Sequence, residues 1–429
     1  MGFDERGPVS RPALSRCINV SAETFAADYW STQPLLSRAE TLREGGDGGF
    51  GDGGFGDLFS TDAVDELVSR RGVRTPFIRM AHEGRVLKPA DYTAPGGFGA
   101  EVADQVSSDK VLAQFADGAT IVLQGLHRLW PPLIDFTRRL IDDIGHPAQV
   151  NAYVTPPSSQ GFDPHYDTHD VFVLQVSGEK HWRIHAPVHP DPLADQPWGD
   201  HREAVERAAQ GAPVIDEVLR PGDALYLPRG WIHSAIALGA TSVHLTIGMS
   251  AYTRADVVDA LVSIVGQTPE LRTSLPLGVD LDDEESLRPI VDATVRALLA
   301  TLSDAGEPGT ASAPARQAVA GRLSTRLRNA TRAEPMSPLA TLDAIAALGA
   351  ASVVRWRGSL PARLDEQGDR VRLSARGRSL ALPVEAVEAL RALVSGEPVA
   401  VGELPGLDLE SAIVVVRRLL REGFVVSPA

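Results

Sequence analysis

The sequence predicts an α+β protein: a β-sandwich or barrel, then a helical region, then a small C-terminal unit of winged-helix shape. From Val150 to Met249, short apolar runs are separated by Gly, Pro and Asp, a pattern typical of many short strands joined by turns. After Ser250 the chain is rich in Ala and Leu, with apolar residues three and four positions apart, which indicates helices. From Ser337 strands and helices alternate again.

The composition is that of a globular protein with more than one domain. A chain of 429 residues is too long for one compact core and predicts two or three domains. Its 43% hydrophobic and 23% charged residues are ordinary for this class. The formal charge of −15 argues against a protein that coats nucleic acid, because phosphates repel an acidic surface. It suits basic partners, although it could equally serve solubility.

The sequence also bears on the compartment. Cys17 is the single cysteine, so no intramolecular disulfide can form, which fits a reducing environment. The first twenty residues lack the apolar core of a signal peptide, and no apolar run approaches the length of a membrane-spanning helix. We therefore expect a cytoplasmic protein without a membrane partner.

The N-terminal part predicts helices around one flexible tract. Residues 1–20 suggest a loose arm, and residues 21–30 suggest a short helix capped by Ser21. The tract at 45–57 contains GGFGD twice. No Lys-Ser/Thr follows it, so a flexible surface loop is favoured over a phosphate-binding loop. The segment TDAVDELVSRRG (61–72) predicts a capped amphipathic helix.

The next elements lead into the β-rich part. Residues 75–87 alternate like two strands around a turn at Glu83-Gly84. Residues 109–145 predict a helix, a buried strand at Thr120–Gln124 and a long amphipathic helix from Leu133. A loop with a short helix is expected within Asp191–Gln210.

The C-terminal third predicts two further units. Three segments between 251 and 335 are helical, and their apolar stripes must be buried either on the barrel or on a second copy of the chain. Residues 336–429 then read as strands at VVRWR and DRVRLSARGRSLAL, a helix in VEAVEALRALV, a helix capped by Asp408 and a final strand. This order outlines a winged helix, a fold that commonly binds DNA. Arg417, Arg418 and Arg421 supply too little basic surface for us to expect nucleic acid binding.

Three residues predict a metal centre. His165 and Asp167 stand two apart at the start of a predicted strand, Val171–Val176, and alternate residues of a strand share a face. His233 follows the turn at 228–230, where it can supply a third ligand. Two His and one Asp with open positions form the facial triad of non-haem Fe(II) oxygenases. We expect the nearby His169 to support the ligands rather than to be one, and isolated histidines elsewhere to have no special role.

A lysine completes the predicted chemistry. Fe(II) with three protein ligands leaves three positions, two for a bidentate 2-oxoacid and one for O2. The far carboxylate of the 2-oxoacid then needs a cation. In GEKHWRIH, Lys180, Trp182 and Ile184 share a strand face, and a lysine buried there implies an anionic partner. The alternative is that the Lys180 side chain extends to solvent at a strand edge.

The motifs resemble one known family. NAYVTPPSSQGF, HYDTHDVFVLQVSGEKHW, PGDALYLPRGWIHSA and SVHLTI are similar to the JmjC-type ribosomal oxygenases of the cupin superfamily, which are Fe(II)- and 2-oxoglutarate-dependent hydroxylases of ribosomal-protein side chains. The resemblance implies a double-stranded β-helix with an N-terminal extension over residues 1–250, a helical dimerisation region over 251–335 and a winged-helix-like domain over 336–429. It also implies a homodimer.

The resemblance also implies roles for individual residues. His165, Asp167 and His233 match the iron ligands, and Lys180 falls where the family places the cation for the 2-oxoglutarate C5 carboxylate. Asn151 matches an Asn close to the cosubstrate, and Tyr153 lies two positions further along the same strand, so we expect it to face the cavity as well. The chain departs from the family in two places: the GGFGD tract, and Gly248, where relatives often carry a Ser.

The expected function is hydroxylation of a protein side chain, with an Arg or His of a ribosomal protein as the target. A second hypothesis keeps the oxygenase but gives it a small natural product or modified peptide as substrate. A third is a catalytically silent, dimeric cupin that acts as a scaffold or regulator. The intact triad and Lys180 argue against silence. No readable motif identifies the substrate.

Overall fold

The computed structural model describes residues 11–44, 54–99, 101–160, 162–304, 307–375 and 377–428. The chain divides into two compact units, Met1–Ala251 and Tyr252–Ala429. Most of the GGFGD tract, residues 45–53, lies outside the described residues, so its predicted flexibility stays a prediction.

The first unit begins with short helices and strands that precede the main sheet. They are α1 (Pro12–Ser15), α2 (Ala22–Thr24, continued by a π-helix over Phe25–Tyr29), β1 (Leu35–Ser37), α3 (Ala39–Glu44), α4 (Thr61–Arg70), β2 (Ile78–His82), β3 (Arg85–Val86), β4 (Thr93–Ala94), β5 (Gln105–Val106), α5 (Ser108–Ala116), β6 (Thr120–Leu123), α6 (Leu126–Leu129) and α7 (Pro131–Ile144).

Local sequence signals set several of these boundaries. Ser21 Oγ accepts from the Thr24 N–H, and Ser60 Oγ accepts from the Ala63 N–H, so both predicted helix starts carry a capping side chain. Helix α7 ends where Gly145 adopts a left-handed conformation with φ 72°. The predicted helices at 21–30 and 61–72 are confirmed.

Two long strands dominate the rest of the unit. Its elements are β7 (Ala148–Thr155), β8 (Asp170–His185), α8 (Arg202–Ala208), β9 (Ile215–Leu219), β10 (Ala224–Leu227) and β11 (Ile232–Met249). Strands β8 and β11 have 16 and 18 residues, so the prediction of uniformly short strands was wrong here. The Gly and polar residues that suggested turns lie instead within bends of continuous strands.

In the described part of the chain, nine strands form one antiparallel sheet with the order β1-β10-β8-β11-β7-β6-β2-β3, and β9 pairs with β8. Gly178 bends β8 with φ 64°, and a Cβ there would lie 2.2 Å from Thr241 O, so only glycine fits. Opposite this bend, the register of β11 shifts between Leu238 and Val243.

The bend folds the sheet around a cavity. Both halves of β8 and both halves of β11 contribute side chains to its lining. Apolar side chains of β8, β9 and β10, including Val173, Ile184, Leu219 and Leu225, are almost fully buried beside it. Burying each contributes about 1.5–3 kcal/mol to folding. This is a cupin-like arrangement of an antiparallel sheet with flanking helices.

The second unit consists of α9 (Arg254–Val262), α10 (Glu284–Leu302), β12 (Ser303–Asp304), β13 (Glu307–Ala311), α11 (Ala313–Ala330), α12 (Pro338–Ala346), β14 (Val353–Trp356), β15 (Arg363–Gln367), β16 (Arg370–Ala375), β17 (Arg378–Pro383), α13 (Val387–Val394), β18 (Val399–Ala400), α14 (Leu409–Glu422) and β19 (Val425–Val426).

Its C-terminal part has a core of its own. Strands β18, β14 and β19 form one three-stranded sheet, and β15, β16 and β17 form another. They pack with α13 and α14 around residues such as Val354, Leu390 and Leu419. The Asp408 side chain accepts from the Ser411 N–H at 2.8 Å, as the predicted cap requires.

The helices that precede this C-terminal core in the sequence are far more exposed than the core itself. Helix α10 has no buried residue, and Val291, Val295 and Leu299 form an apolar stripe along it, with each side chain about half exposed. Among the described residues, no helix combines the length and the apolar character needed to cross a membrane.

Candidate active site

The side chains of His165, Asp167 and His233 lie close together near the start of β8. His165 and His233 form an isolated antiparallel bridge through two backbone hydrogen bonds of 3.2 and 2.8 Å. Asp167 Oδ2 lies 3.8 Å from His233 Nε2. One possible ligand atom from each of the three residues lies within 4.8 Å of the other two. The expectation that His165 and Asp167 open the strand itself was wrong, because β8 begins at Asp170 and the backbone bridge brings the side chains together.

The two imidazoles are oriented by backbone carbonyl groups. His165 Nδ1 lies 2.7 Å from Asp163 O, and His233 Nδ1 lies 3.1 Å from Trp231 O. A carbonyl oxygen can only accept, so each Nδ1 carries a proton, and in the neutral ring Nε2 then keeps its lone pair. This is the tautomer that a metal-binding histidine needs.

The charge states also suit metal binding. Burial, reinforced by His165, lowers the pKa of His233 to about 4, so this imidazole is neutral near pH 7. Burial would raise the pKa of Asp167, but interactions with His169, His233, His165 and the Arg79 guanidinium outweigh it and hold the pKa below its ordinary value. The cluster therefore offers a neutral imidazole on His233, the imidazole of His165 and one carboxylate.

These residues lie at one side of a cavity of about 260 Å³. Its lining comes from β2, β6, β7, β8, β10 and β11, from the segment between β7 and β8, and from Trp198 in the segment between β8 and β9. The Arg202 guanidinium stacks 4.3 Å from the Trp198 ring centroid. A cavity of this size accommodates a small organic molecule beside the cluster.

Lys180 extends into this cavity and not to solvent. Only 4% of the residue is exposed, and its Nζ donates to Thr155 Oγ1 at 3.1 Å, while Thr155 and Thr120 form a further hydroxyl contact. Among the described residues, no carboxylate lies within 4 Å of Nζ. Burial without an anion lowers the pKa of Lys180 to about 7.

The two residues predicted on β7 have different surroundings. Tyr153 lines the cavity, and its ring stacks on His244 with centroids 5.1 Å apart. Asn151 is not among the described residues that line the cavity, and its Oδ1 accepts from the Gly125 N–H at 3.0 Å. The structure thus brings five of the six predicted residues to one cavity, and Asn151 faces a neighbouring turn.

Sequence reasoning missed other polar groups in the lining. Arg79 Nε, Trp182 Nε1 and His244 Nδ1 are buried and have no hydrogen-bond partner within the described residues. Burial, with Lys180 and His233 nearby, holds the pKa of His244 well below its ordinary value. The alternation in SVHLTI and in the strand at 78–82 could have indicated His244 and Arg79 as facing inwards.

Gly248 accommodates a neighbouring histidine ring. A Cβ at this position would lie 2.5 Å from His169 Cδ2 and Nε2, so the His169 ring packs directly on the glycine backbone. His169 is not part of the three-residue ligand cluster. A serine at position 248 would therefore clash with the His169 ring and displace it.

Part of the chain is similar in sequence to known proteins. The family model described as JmjC domain matches residues 129–257. The chain is 33% identical over 277 residues to a Drosophila persimilis protein named bifunctional lysine-specific demethylase and histidyl-hydroxylase NO66, which covers 60% of this chain and 35% of the relative. It is 31% identical over 233 residues to ribosomal oxygenase 1 of Gallus gallus, covering 54% of this chain and 35% of the relative.

The chain thus spans about a third of the length of these relatives. A solved structure of the Escherichia coli ribosomal oxygenase YcfD, in complex with cobalt and 2-oxoglutarate, superposes with a TM-score of 0.50 at 17% identity, covering 96% of this chain and 99% of YcfD. At that identity the likeness concerns the fold alone. Residues 129–257 match the JmjC domain model, and part of the chain is similar to proteins named ribosomal oxygenase.

Proposed function

We propose that this protein is an Fe(II)- and 2-oxoglutarate-dependent oxygenase that hydroxylates a histidine side chain of a ribosomal protein. The observation that carries the proposal is one cavity that contains both the cluster of His165, Asp167 and His233 and a buried lysine without an anion. The names of the relatives, histidyl-hydroxylase and ribosomal oxygenase, support the same activity.

The three-residue cluster fits a divalent metal. Two imidazoles and one carboxylate are the donor set of the facial triad, which leaves coordination positions open for a cosubstrate and O2. Bound there, Fe(II) would supply the redox chemistry that activates O2. The protein contributes the Nε2 atoms of His165 and His233, whose rings are held in place by the backbone carbonyls that accept from each Nδ1.

The rest of the cavity fits a dicarboxylate. Lys180 Nζ, with the hydroxyls of Thr155 and Thr120 behind it, would bind the C5 carboxylate of 2-oxoglutarate. Trp182 Nε1 is a further buried donor, and it has no partner among the residues that the structure describes. A carboxylate bound beside Lys180 would stabilise the protonated, positively charged form of its amine, because the two opposite charges compensate each other in the buried site.

Arg79 favours a neutral target side chain over a cationic one. Its guanidinium lines the cavity, lies 5.5 Å from the Phe162 ring centroid and has no carboxylate within 4 Å among the described residues. A substrate arginine that entered the same cavity would meet this fixed positive charge, whereas a neutral imidazole would not. Histidine is therefore the better target of the two residue types first considered.

The proposal also covers the partner, the compartment and the oligomeric state of the enzyme. The net charge of −15 suits a basic ribosomal protein as partner, and the lone cysteine fits the cytoplasm. The exposed stripes on α9 and α10, with Val258, Val262, Val291 and Val295, support a homodimer formed through residues 251–335. We assign residues 336–429 to a separate domain with a winged-helix-like fold.

The test is hydroxylation of ribosomal proteins by the full chain. The purified protein is loaded with Fe(II) and incubated with 2-oxoglutarate, O2 and ribosomal proteins, and the proteins are then mapped by mass spectrometry. We expect one added oxygen on a histidine, accompanied by release of succinate. Oxygen on an arginine would overturn the target assignment, and no added oxygen with any ribosomal protein would overturn the proposed substrate class.

A further inference from the structure

Asp170 is a buried carboxylate just beyond the ligand cluster. It has no exposed surface, begins β8 and follows Asp167 by three residues. It accepts from Tyr226 Oη at 2.9 Å, from Ser31 Oγ at 3.0 Å and from the Arg229 backbone N–H at 2.9 Å. Both carboxylate oxygens are therefore engaged by protein donors, and Asp170 does not line the cavity.

The Arg229 side chain strengthens this network. Its Nη1 lies 3.7 Å from Asp170 Oδ1 and donates to Ser31 Oγ at 3.2 Å. Its Nη2 pairs with Asp191 at 3.1 Å, in the segment between β8 and β9 that also carries Trp198. A buried carboxylate is stable only with such partners, so the network holds the turn at 228–230 against the start of β8.

The turn at 228–230 and the residues that follow it contact two members of the ligand cluster, Asp167 and His233. The Gly230 N–H donates to Asp167 O at 2.9 Å, which fixes the backbone of one candidate ligand. Three residues later the same segment carries His233, and Trp231 O accepts from His233 Nδ1. The backbone of this segment thus joins Asp170 to Asp167 and to the His233 ring.

We propose that Asp170 is a positioning residue for the metal ligands and acts through the turn at 228–230. The inference rests on the proposed function, because it assumes that His165, Asp167 and His233 bind a metal. Partners beyond the ligands themselves tune metal sites strongly, and their loss lowers metal affinity or activity by about 10–100-fold.

Asp223 provides a matched control. It is also buried, with 4% exposed, and it accepts from two backbone N–H groups, Ala39 and Arg220, and pairs with Arg38 at 3.0 Å. Within the described residues, none of these side-chain contacts reaches the ligand cluster. Replacing either aspartate with asparagine breaks a comparable network, but only the Asp170 network leads to the ligands.

The experiment measures metal affinity and stability of the full chain together. Mn(II) is titrated into wild type, Asp170→Asn and Asp223→Asn, with metal bound followed by electron paramagnetic resonance and unfolding followed by circular dichroism. We expect both variants to lose thermal stability, with Asp170→Asn losing about 10–100-fold in Mn(II) affinity and Asp223→Asn staying within about twofold of wild type.

Equal affinities in wild type and Asp170→Asn, or equal losses in both variants, would overturn the positioning role. Failure of wild type itself to bind Mn(II) would instead overturn the proposed function. If Asp170→Asn does not fold, Tyr226→Phe removes one donor to the same carboxylate and keeps the ring. It should weaken Mn(II) binding less than Asp170→Asn would but measurably, and an unchanged affinity there would also refute the role.

Discussion

Replacing Lys180 with Ala removes the cation proposed to bind the far carboxylate of 2-oxoglutarate. The fall of its pKa from 10.5 to about 7 corresponds to about 5 kcal/mol of penalty for a bare ammonium in the cavity. A bound carboxylate would offset this penalty. Without the lysine, that carboxylate would lose its ammonium partner, and losing one partner of a buried pair costs about 3–5 kcal/mol.

At about 1.4 kcal/mol for each tenfold change, Lys180→Ala should weaken 2-oxoglutarate binding by roughly a hundredfold or more. The assay is anaerobic isothermal titration of 2-oxoglutarate into Mn(II)-loaded protein, with Mn(II) affinity measured in parallel. Lys180→Arg should be milder, because a guanidinium also binds carboxylates, with a different geometry.

Mn(II) affinity should survive in Lys180→Ala, since Lys180 is not in the ligand cluster. The reverse pattern, with metal binding lost and 2-oxoglutarate affinity unchanged, would refute the placement of this lysine at the cosubstrate.

Four further outcomes are expected. Asp167→Ala should abolish Fe(II)-dependent turnover of 2-oxoglutarate with an unchanged circular dichroism spectrum, while the surface variant His181→Ala stays active; turnover in Asp167→Ala would refute its role as a ligand. Because the pKa of Lys180 is about 7 in the free protein and rises when a carboxylate binds, binding should take up protons above pH 7, and 2-oxoglutarate affinity should fall by up to about tenfold for each pH unit above it. Calorimetry in two buffers counts these protons, and proton release would contradict the assignment. Arg79→Leu should raise turnover of an arginine peptide relative to a histidine peptide by about tenfold, measured by mass spectrometry in competition, and an unchanged ratio would remove Arg79 from target selection. Val295→Glu should convert a dimer into a monomer in light scattering at micromolar concentration, and a wild-type monomer would contradict the dimer.

The sequence could predict which residues meet in the cavity better than how they meet. The spacing of His165 and Asp167 suggested a strand pleat, but both precede β8, and a backbone bridge joins His165 to the third residue, His233. Such a bridge pairs residues 68 positions apart, and no local pattern encodes it. Lys180 was predictable, because its alternation with Trp182 persists in β8.

Other features depend on tertiary contacts and could not be read from local sequence. The side chain of Asn151 is engaged by the Gly125 N–H, a contact set by the packing of the turn before α6. The bend at Gly178 lets β8 continue through what looked like a turn between two strands. The apolar stripe on α10 was predicted, but whether it packs on a second chain depends on a partner.

The most direct test of the central claim is succinate formation from 2-oxoglutarate by the Fe(II)-loaded full chain, measured with and without a histidine-containing ribosomal protein. We predict succinate in proportion to oxygen added to that protein, and neither product with Asp167→Ala. Wild-type protein that binds neither Mn(II) nor 2-oxoglutarate, and forms no succinate with any ribosomal protein, would contradict the assignment as an oxygenase.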